Sequence, residues 1–565
     1  MSEIDILYTG SRQSAEYVQY YLSQKDKELD IRIVKITKIR NKMHKFPWKI
    51  ARLMILEFPS LILIERTSQE PLLNIEFSGR KPMGYNHSQF FARIYQSGRC
   101  KVPFIFIYPS RAFQVRRSEG GRSAIEYDSP IYIKGLINAN KIFGVPILAF
   151  NWDMDINGET SNSFHGSLLL DEKFTQMPDS NSPDLNLLFD YLERQIREFA
   201  NGTLDYFNWD ETNKALEKMK LLKDQLESRS SINREFRYDY YTSDDFISFI
   251  INKYEIKEHD IPERFMKKPT IVHENGSKTI RSDPYVGLYA LYDLTFCRNP
   301  DNLNDKYNLV ALWSNTELSK ELATQKFIGY YKEDWNNDLS IELEAWLDSN
   351  QKIGRCLTYF LDGFLLNDGL FWKSYINQPL FMNDPKWDTV NSNFPSKLDI
   401  DDIISSDAID EEDIAFSVRD LLLNNGWKLL SFNPPRGIRH VDLLSQNSGI
   451  VRAFGARIPD IIAYKNNGLI ILEFKVDLDR NDIDKLLNIS KADLEILKEE
   501  YNLPPDFKLL KGIGISNFEM RYYEDIVIPT EIATFIVDEY NRKTTIFWKN
   551  EVYNQFLNDL PKFLG

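Results

Sequence analysis

The sequence predicts a multidomain α/β protein on three observations. A chain of 565 residues exceeds what one core can serve, since single hydrophobic cores stop growing at roughly 250–300 residues. Short β-branched runs recur at both ends of the chain, separated by turn residues or by stretches of helical periodicity, the layout of mixed sheets covered by helices. Hydrophobic residues make up 43% of the chain and aromatics 13%, enough to fill such cores. The formal charge of −14 excludes a general polyanion binder and confines any nucleic-acid surface to local patches.

In chain order, residues 4–8 and 31–36 read as strands around a helical stretch at 14–22. Residues 61–64 and 72–77 are apolar runs about the turn Thr67-Ser68-Gln69-Glu70-Pro71, a β-hairpin. A helix at 88–98 leads to a strand at 104–108, giving a strand–helix–strand crossover. Amphipathic helices follow at 185–199 and 213–227, the second with Leu216, Met219, Leu222 and Leu226 at helical spacing. The polar stretch 228–241 reads as a linker, and 244–395 is aromatic-rich and weakly periodic. An Asp-, Glu- and Ser-rich stretch at 398–413 marks the last boundary, so three regions are expected: 1–200, 201–400 and 401–565.

The last region opens on Asp410-Glu411-Glu412-Asp413, followed by the amphipathic run 414–423 and the closing Asn424-Asn425-Gly426. Acids at a helix start and glycine past its end fit ordinary capping. Next, two apolar runs, 461–464 and 469–472, flank Lys465-Asn466-Asn467-Gly468, the signature of a second hairpin. Folding it about that turn sets Asp460 opposite Glu473, and strand alternation puts Lys475 on the face of Glu473. Burying such charges without partners costs several kcal/mol or more. A divalent metal held by Asp460 and Glu473, with Lys475 beside the reacting group, accounts for all three; the bland alternative is a solvated ion pair at a surface hairpin. Strands at 533–537 and 544–548 end the region.

This constellation closely resembles the PD-(D/E)xK nuclease superfamily. Pro459-Asp460 matches its first element and Glu473-Phe474-Lys475 its second, with an apolar strand leading into the second. The resemblance implies a restriction-endonuclease-like mixed sheet flanked by helices and a Mg²⁺-dependent endonuclease in which Mn²⁺ substitutes. It implies metal ligation by Asp460, Glu473 and the Phe474 carbonyl, with Lys475 acting on the attacking water and the phosphate. Glu412 is either the further acid that a preceding helix supplies in that family or a helix-dipole acid. DNA is the implied substrate, in bacterial restriction or anti-phage defence. Two alternatives stand beside it: a nucleic-acid-binding scaffold subunit, and a nuclease of RNA or single-stranded DNA triggered by a partner or ligand. Near the N-terminus, Pro59-Ser60 and Glu76-Phe77-Ser78 resemble a second, degenerate copy in which Ser60 replaces the acid and Ser78 the lysine. Glu57 and Glu65 are the acids that could stand in there.

Between Arg32 and Arg52 lie Lys35, Lys38, Arg40, Lys42, Lys45 and Lys49 with no acid among them. The run is either a phosphate footprint or a solvated face. Arg80 and Lys81, after the first hairpin, and Arg436 and Arg439, before the second, are further candidates for contact with a nucleic-acid backbone. Three scattered cysteines, Cys100, Cys297 and Cys356, make no disulfide framework, and no Gly-x-x-x-x-Gly-Lys-Ser/Thr loop supports NTP-driven translocation. With no signal segment and no apolar run of the roughly 18 residues a membrane span needs, a cytoplasmic protein without a membrane partner is expected. A protein partner or homo-oligomer is left open.

Overall fold

The computed structural model describes residues 2–36, 45–54, 58–79, 85–115, 123–127, 130–156, 166–229, 239–241, 270–273, 292, 296–297, 308–314, 354–360, 364–366, 394–400, 409–434, 448–454, 458–476, 480–516, 528–538 and 542–557. In the N-terminal part, strands β1 (Glu3–Tyr8), β2 (Asp30–Lys35), β3 (Leu61–Glu65), β4 (Pro71–Phe77) and β5 (Phe104–Tyr108) are followed by the pair β6 (Arg111–Val115) and β7 (Ser123–Tyr127) and by β8 (Ile147–Asn151). A short pair, β9 (Met154–Ile156) and β10 (Gly166–Leu168), comes next. Strands β11 (Asp239–Tyr241), β12 (Thr270–His273), β13 (Asn308–Ser314), β14 (Gly354–Phe360) and β15 (Phe364–Leu366) make a five-stranded sheet in the middle. The last sheet contains β16 (Lys428–Phe432), β17 (Ile461–Lys465), β18 (Gly468–Phe474), β19 (Lys508–Ser516), β20 (Ile532–Val537) and β21 (Thr544–Phe547).

Helices α1 (Arg12–Lys25), α2 (Trp48–Ala51), α3 (Tyr85–Arg99), α4 (Pro130–Phe143), α5 (Pro183–Asn201) and α6 (Asp210–Arg229) accompany the first sheet. The last sheet has α7 (Glu411–Asn424), α8 (Gly449–Phe454), α9 (Arg480–Leu487), α10 (Lys491–Tyr501) and α11 (Asn554–Leu557). The chain is thus mixed α/β, with two six-stranded mixed sheets among the described residues, ordered β2-β1-β3-β4-β5-β8 and β16-β17-β18-β19-β20-β21.

These two sheets share a five-strand core. Along β1-β3-β4-β5-β8 the neighbours run antiparallel, antiparallel, parallel, parallel, and β16-β17-β18-β19-β20 repeats that succession. The registers agree as well. Tyr8 pairs with Leu61, Leu61 with Ile75 and Phe77 with Ile107, where the last sheet pairs Phe432 with Ile461, Ile461 with Leu472 and Phe474 with Gly514. Even single bonds recur. The Thr9 and Asn433 amides donate to the carbonyls of Ser60 (3.2 Å) and Asp460 (2.7 Å), and their side chains donate to those of Pro59 and Pro459, each at 2.9 Å. The Ser78 and Lys475 amides donate to Ile107 (2.9 Å) and Gly514 (3.0 Å). By register, Ser60 corresponds to Asp460, Glu76 to Glu473 and Ser78 to Lys475.

Burial explains why β18 reads as an unbroken apolar run: all seven of its residues are buried, as expected for a strand covered on both faces. Ile461, Ala463, Ile470, Leu472 and Phe474 pack with Ile414, Phe416, Val418 and Leu422 of α7. On the alternate positions, Ile462, Leu469 and Ile471 pack with Ile450 of α8, Ile483 and Leu486 of α9 and Leu497 of α10. The two-residue period therefore assigns Glu473 to the α9 face. The first sheet's core takes in Leu185, Leu188 and Leu192 of α5 and Met219 and Leu226 of α6, together with Leu398 and Ile400. It runs past residue 200, where the sequence suggested a boundary, because both helices bury their apolar stripes on one core.

Candidate metal centre at the end of the last hairpin

Asn466, in the left-handed region at φ 54, turns the chain between β17 and β18. Antiparallel pairing of Ile461 with Leu472 then brings Asp460, one residue before β17, beside Glu473 near the end of β18. The Phe474 amide donates to Asp460 Oδ2 at 2.8 Å and fixes that carboxylate at the strand end. Burial raises the Asp460 pKa well above its ordinary value, and the neighbouring Glu473 charge adds to the rise. Glu473, 2% exposed, is also raised by burial, with Lys485 working against the shift. Lys485 comes from α9 and forms a 2.5 Å ion pair with Glu473 Oε1.

The acid that reaches Lys475 is Glu411, whose Oε1 accepts from the ammonium at 3.0 Å. Burial opposes the charge on Lys475, but Glu411, Asp460 and Asp482 outweigh it and raise its pKa. Glu412, the residue singled out in the sequence, lies on the other side of the helix start. It is 1% exposed, its Oε1 accepts from the Arg12 amide at 3.0 Å, and its Oε2 lies 3.1 Å from Lys35. Lys35 also pairs with Asp410 at 2.7 Å and Asp413 at 3.1 Å. Successive residues on a helix project about 100° apart, so one acidic run serves two neighbours. The Asp410–Asp413 capping box holds that geometry at the helix start.

The first sheet builds the same place differently. Glu76 Oε2 accepts from the Ser60 amide at 2.9 Å, and Oε1 pairs with Arg93 of α3 at 2.8 Å. Burial raises the Glu76 pKa while Arg93 lowers it. Among the basic candidates, described members of the 32–52 run find acids in space: Arg32 pairs with Asp5 at 2.8 Å, Lys35 with the α7 acids, and Lys49 with Glu70. Lys45 is half-buried. Lys38, Arg40, Lys42, Glu57, Arg80, Lys81, Arg436 and Arg439 lie outside the described residues.

A hard divalent cation fits the donor set at the last hairpin: two adjacent buried carboxylates that share the field of the Lys485 ammonium. No group of three or more His, Cys, Asp and Glu suited to a metal converges among the described residues. The remaining ligands would have to be a main-chain oxygen such as that of Phe474, water or substrate. No family profile, curated protein or solved structure matches this chain. No helix among the described residues is long and apolar enough to cross a membrane.

Proposed function

We propose that the chain is a Mg²⁺-dependent endonuclease whose catalytic residues are Asp460, Glu473 and Lys475, acting on DNA in bacterial restriction or anti-phage defence. The observation that carries this reading is the pairing of two buried carboxylates beside a lysine at one strand end, each carboxyl raised above its ordinary pKa. Asp460 and Glu473 would hold the ion, which when bound supplies a water of lowered pKa and offsets phosphate charge. The Phe474 amide keeps Asp460 aimed at the pair. Glu411 holds the Lys475 ammonium charged and in place, where it offers a proton-donating cation to a phosphate oxygen. The first sheet is read as non-catalytic, because its single carboxylate at this position is tied by Arg93 and by the Ser60 amide.

Incubating the full chain with supercoiled plasmid is the direct assay. Nicked or linear product with Mg²⁺, and none with EDTA, is the expected outcome. Intact plasmid, single-stranded DNA and RNA under both conditions would leave nucleic-acid binding without cleavage, the scaffold alternative. Cleavage confined to RNA or single strands would move the substrate class and keep the site.

A further inference from the structure

Both six-stranded sheets set a cation from a crossover helix on the strand-end glutamate: Arg93 of α3 on Glu76 at 2.8 Å, and Lys485 of α9 on Glu473 at 2.5 Å. The charge balance around the two pairs differs. Glu76 is one carboxylate facing one guanidinium, and its second oxygen is taken by the Ser60 amide at 2.9 Å. At Glu473 the residue in the Ser60 place is Asp460, a second carboxylate. The other cation nearby, Lys475, is engaged by Glu411 at 3.0 Å, and Asp482 adds a further negative field. One ammonium thus serves two poorly solvated carboxylates, an arrangement with negative charge in excess.

The two cations also differ in how firmly they are held. Arg93 is a planar fork with a side chain 13% exposed, its guanidinium 5.5 Å from the Phe90 ring. Lys485 is a point charge on a flexible stem, 30% exposed, and such a stem swings its head into water at little cost.

We propose that Lys485 is a displaceable placeholder on Glu473 that gives way to an entering divalent cation, and that Arg93 is its permanent counterpart, balancing the lone carboxylate of Glu76. The proposal rests on reading Asp460 and Glu473 as a metal pair. A dication in place of Lys485 balances two carboxylates, where the ammonium balances one. At Glu76 the same exchange would leave positive charge in excess and break the Arg93–Glu76 pair, so it does not occur. The number of carboxylates facing the crossover-helix cation, two at Glu473 and one at Glu76, therefore decides which of the two sheets accepts metal.

The test is Mn²⁺ titration of the full chain by calorimetry without nucleic acid, with E473Q defining the site. Removing the competing charge in K485M, and in K485Q as the polar control, is expected to tighten Mn²⁺ binding about tenfold. It should also enlarge the Mn²⁺-induced rise in melting temperature over that of the wild type. R93M and the milder R93Q are expected to lower the melting temperature and to add no Mn²⁺ site. Wild-type or weaker Mn²⁺ affinity in both Lys485 variants overturns the placeholder role. A new Mn²⁺ site in an Arg93 variant would show that one carboxylate suffices and overturns this division between the two sheets. A wild-type chain with no Glu473-dependent Mn²⁺ binding overturns the metal-pair reading, and the proposal with it.

Discussion

Asp460→Asn and Glu473→Gln are each expected to abolish Mg²⁺-dependent strand cleavage while leaving the chain folded. Each change removes one of two carboxylates that would hold the ion, and the loss should be on the order of 10³-fold or more. Neither residue holds the fold together through its charge. Asp460 sits where burial and Glu473 both disfavour ionisation, so the neutral isostere relieves repulsion rather than breaking a support. Asn at 460 still presents an oxygen to the Phe474 amide. In metal-free buffer the melting temperature should hold or rise, and the Mg²⁺-induced rise expected of the wild type should vanish. Undiminished cleavage by either variant would sink the site assignment; loss of cleavage with loss of fold would make these residues structural.

The second large effect concerns Lys35, which joins the start of α7 to the first sheet. Its side chain is 17% exposed and pairs with Asp410, Glu412 and Asp413. Lys35→Met should cost about 3 kcal/mol, because it leaves Glu412 buried without a counter-ion. That corresponds to a fall of roughly 6–12 °C in the melting of the affected unit. The pH dependence follows from the direction of the Glu412 shift. Burial already raises its pKa, with Lys35 opposing, and removing Lys35 raises it further. A carboxyl with a raised folded pKa stabilises most below its unfolded value and loses that contribution as pH rises through the folded one. The variant should therefore be near wild type at about pH 4 and fall behind progressively toward pH 8. K35M/E412Q should recover most of the loss, since deleting both partners removes the stranded charge. Equal melting of K35M and wild type across that range would show that the α7 acids need no counter-ion from the first sheet.

Much of the last hairpin was legible in the sequence. Apolar runs about Asn466-Asn467-Gly468 fix a two-residue period and a fold point, and these suffice to set Asp460 beside Glu473. The first hairpin was legible for the same reason, which is why its likeness to the last could be read before their strand order was known. Lys485 was not legible. It lies twelve residues beyond Glu473, and only the path of α9 back across the sheet returns it there. Its one sequence signal is the helical spacing of Ile483 and Leu486, which fixes the buried face of α9. The choice between Glu411 and Glu412 was equally hidden, because an acidic run carries no helix phase until something docks against it. Lys35 read as part of either a phosphate footprint or a solvated face for a related reason: a segment empty of acids in sequence meets them from strand β1 and from α7 in space. The weakly periodic 244–395 stretch gave no fold; its described residues include strands β12–β15, and β12, β13 and β14 pair across long stretches of chain while β14 and β15 are neighbours.

Anomalous diffraction from crystals of the full chain equilibrated with Mn²⁺ would show whether Asp460 and Glu473 form a metal site. An anomalous peak between the two carboxylates, with Lys485 turned away from Glu473, is the expected result. Mn²⁺-saturated crystals showing no peak there, with the Lys485–Glu473 pair intact, would contradict it.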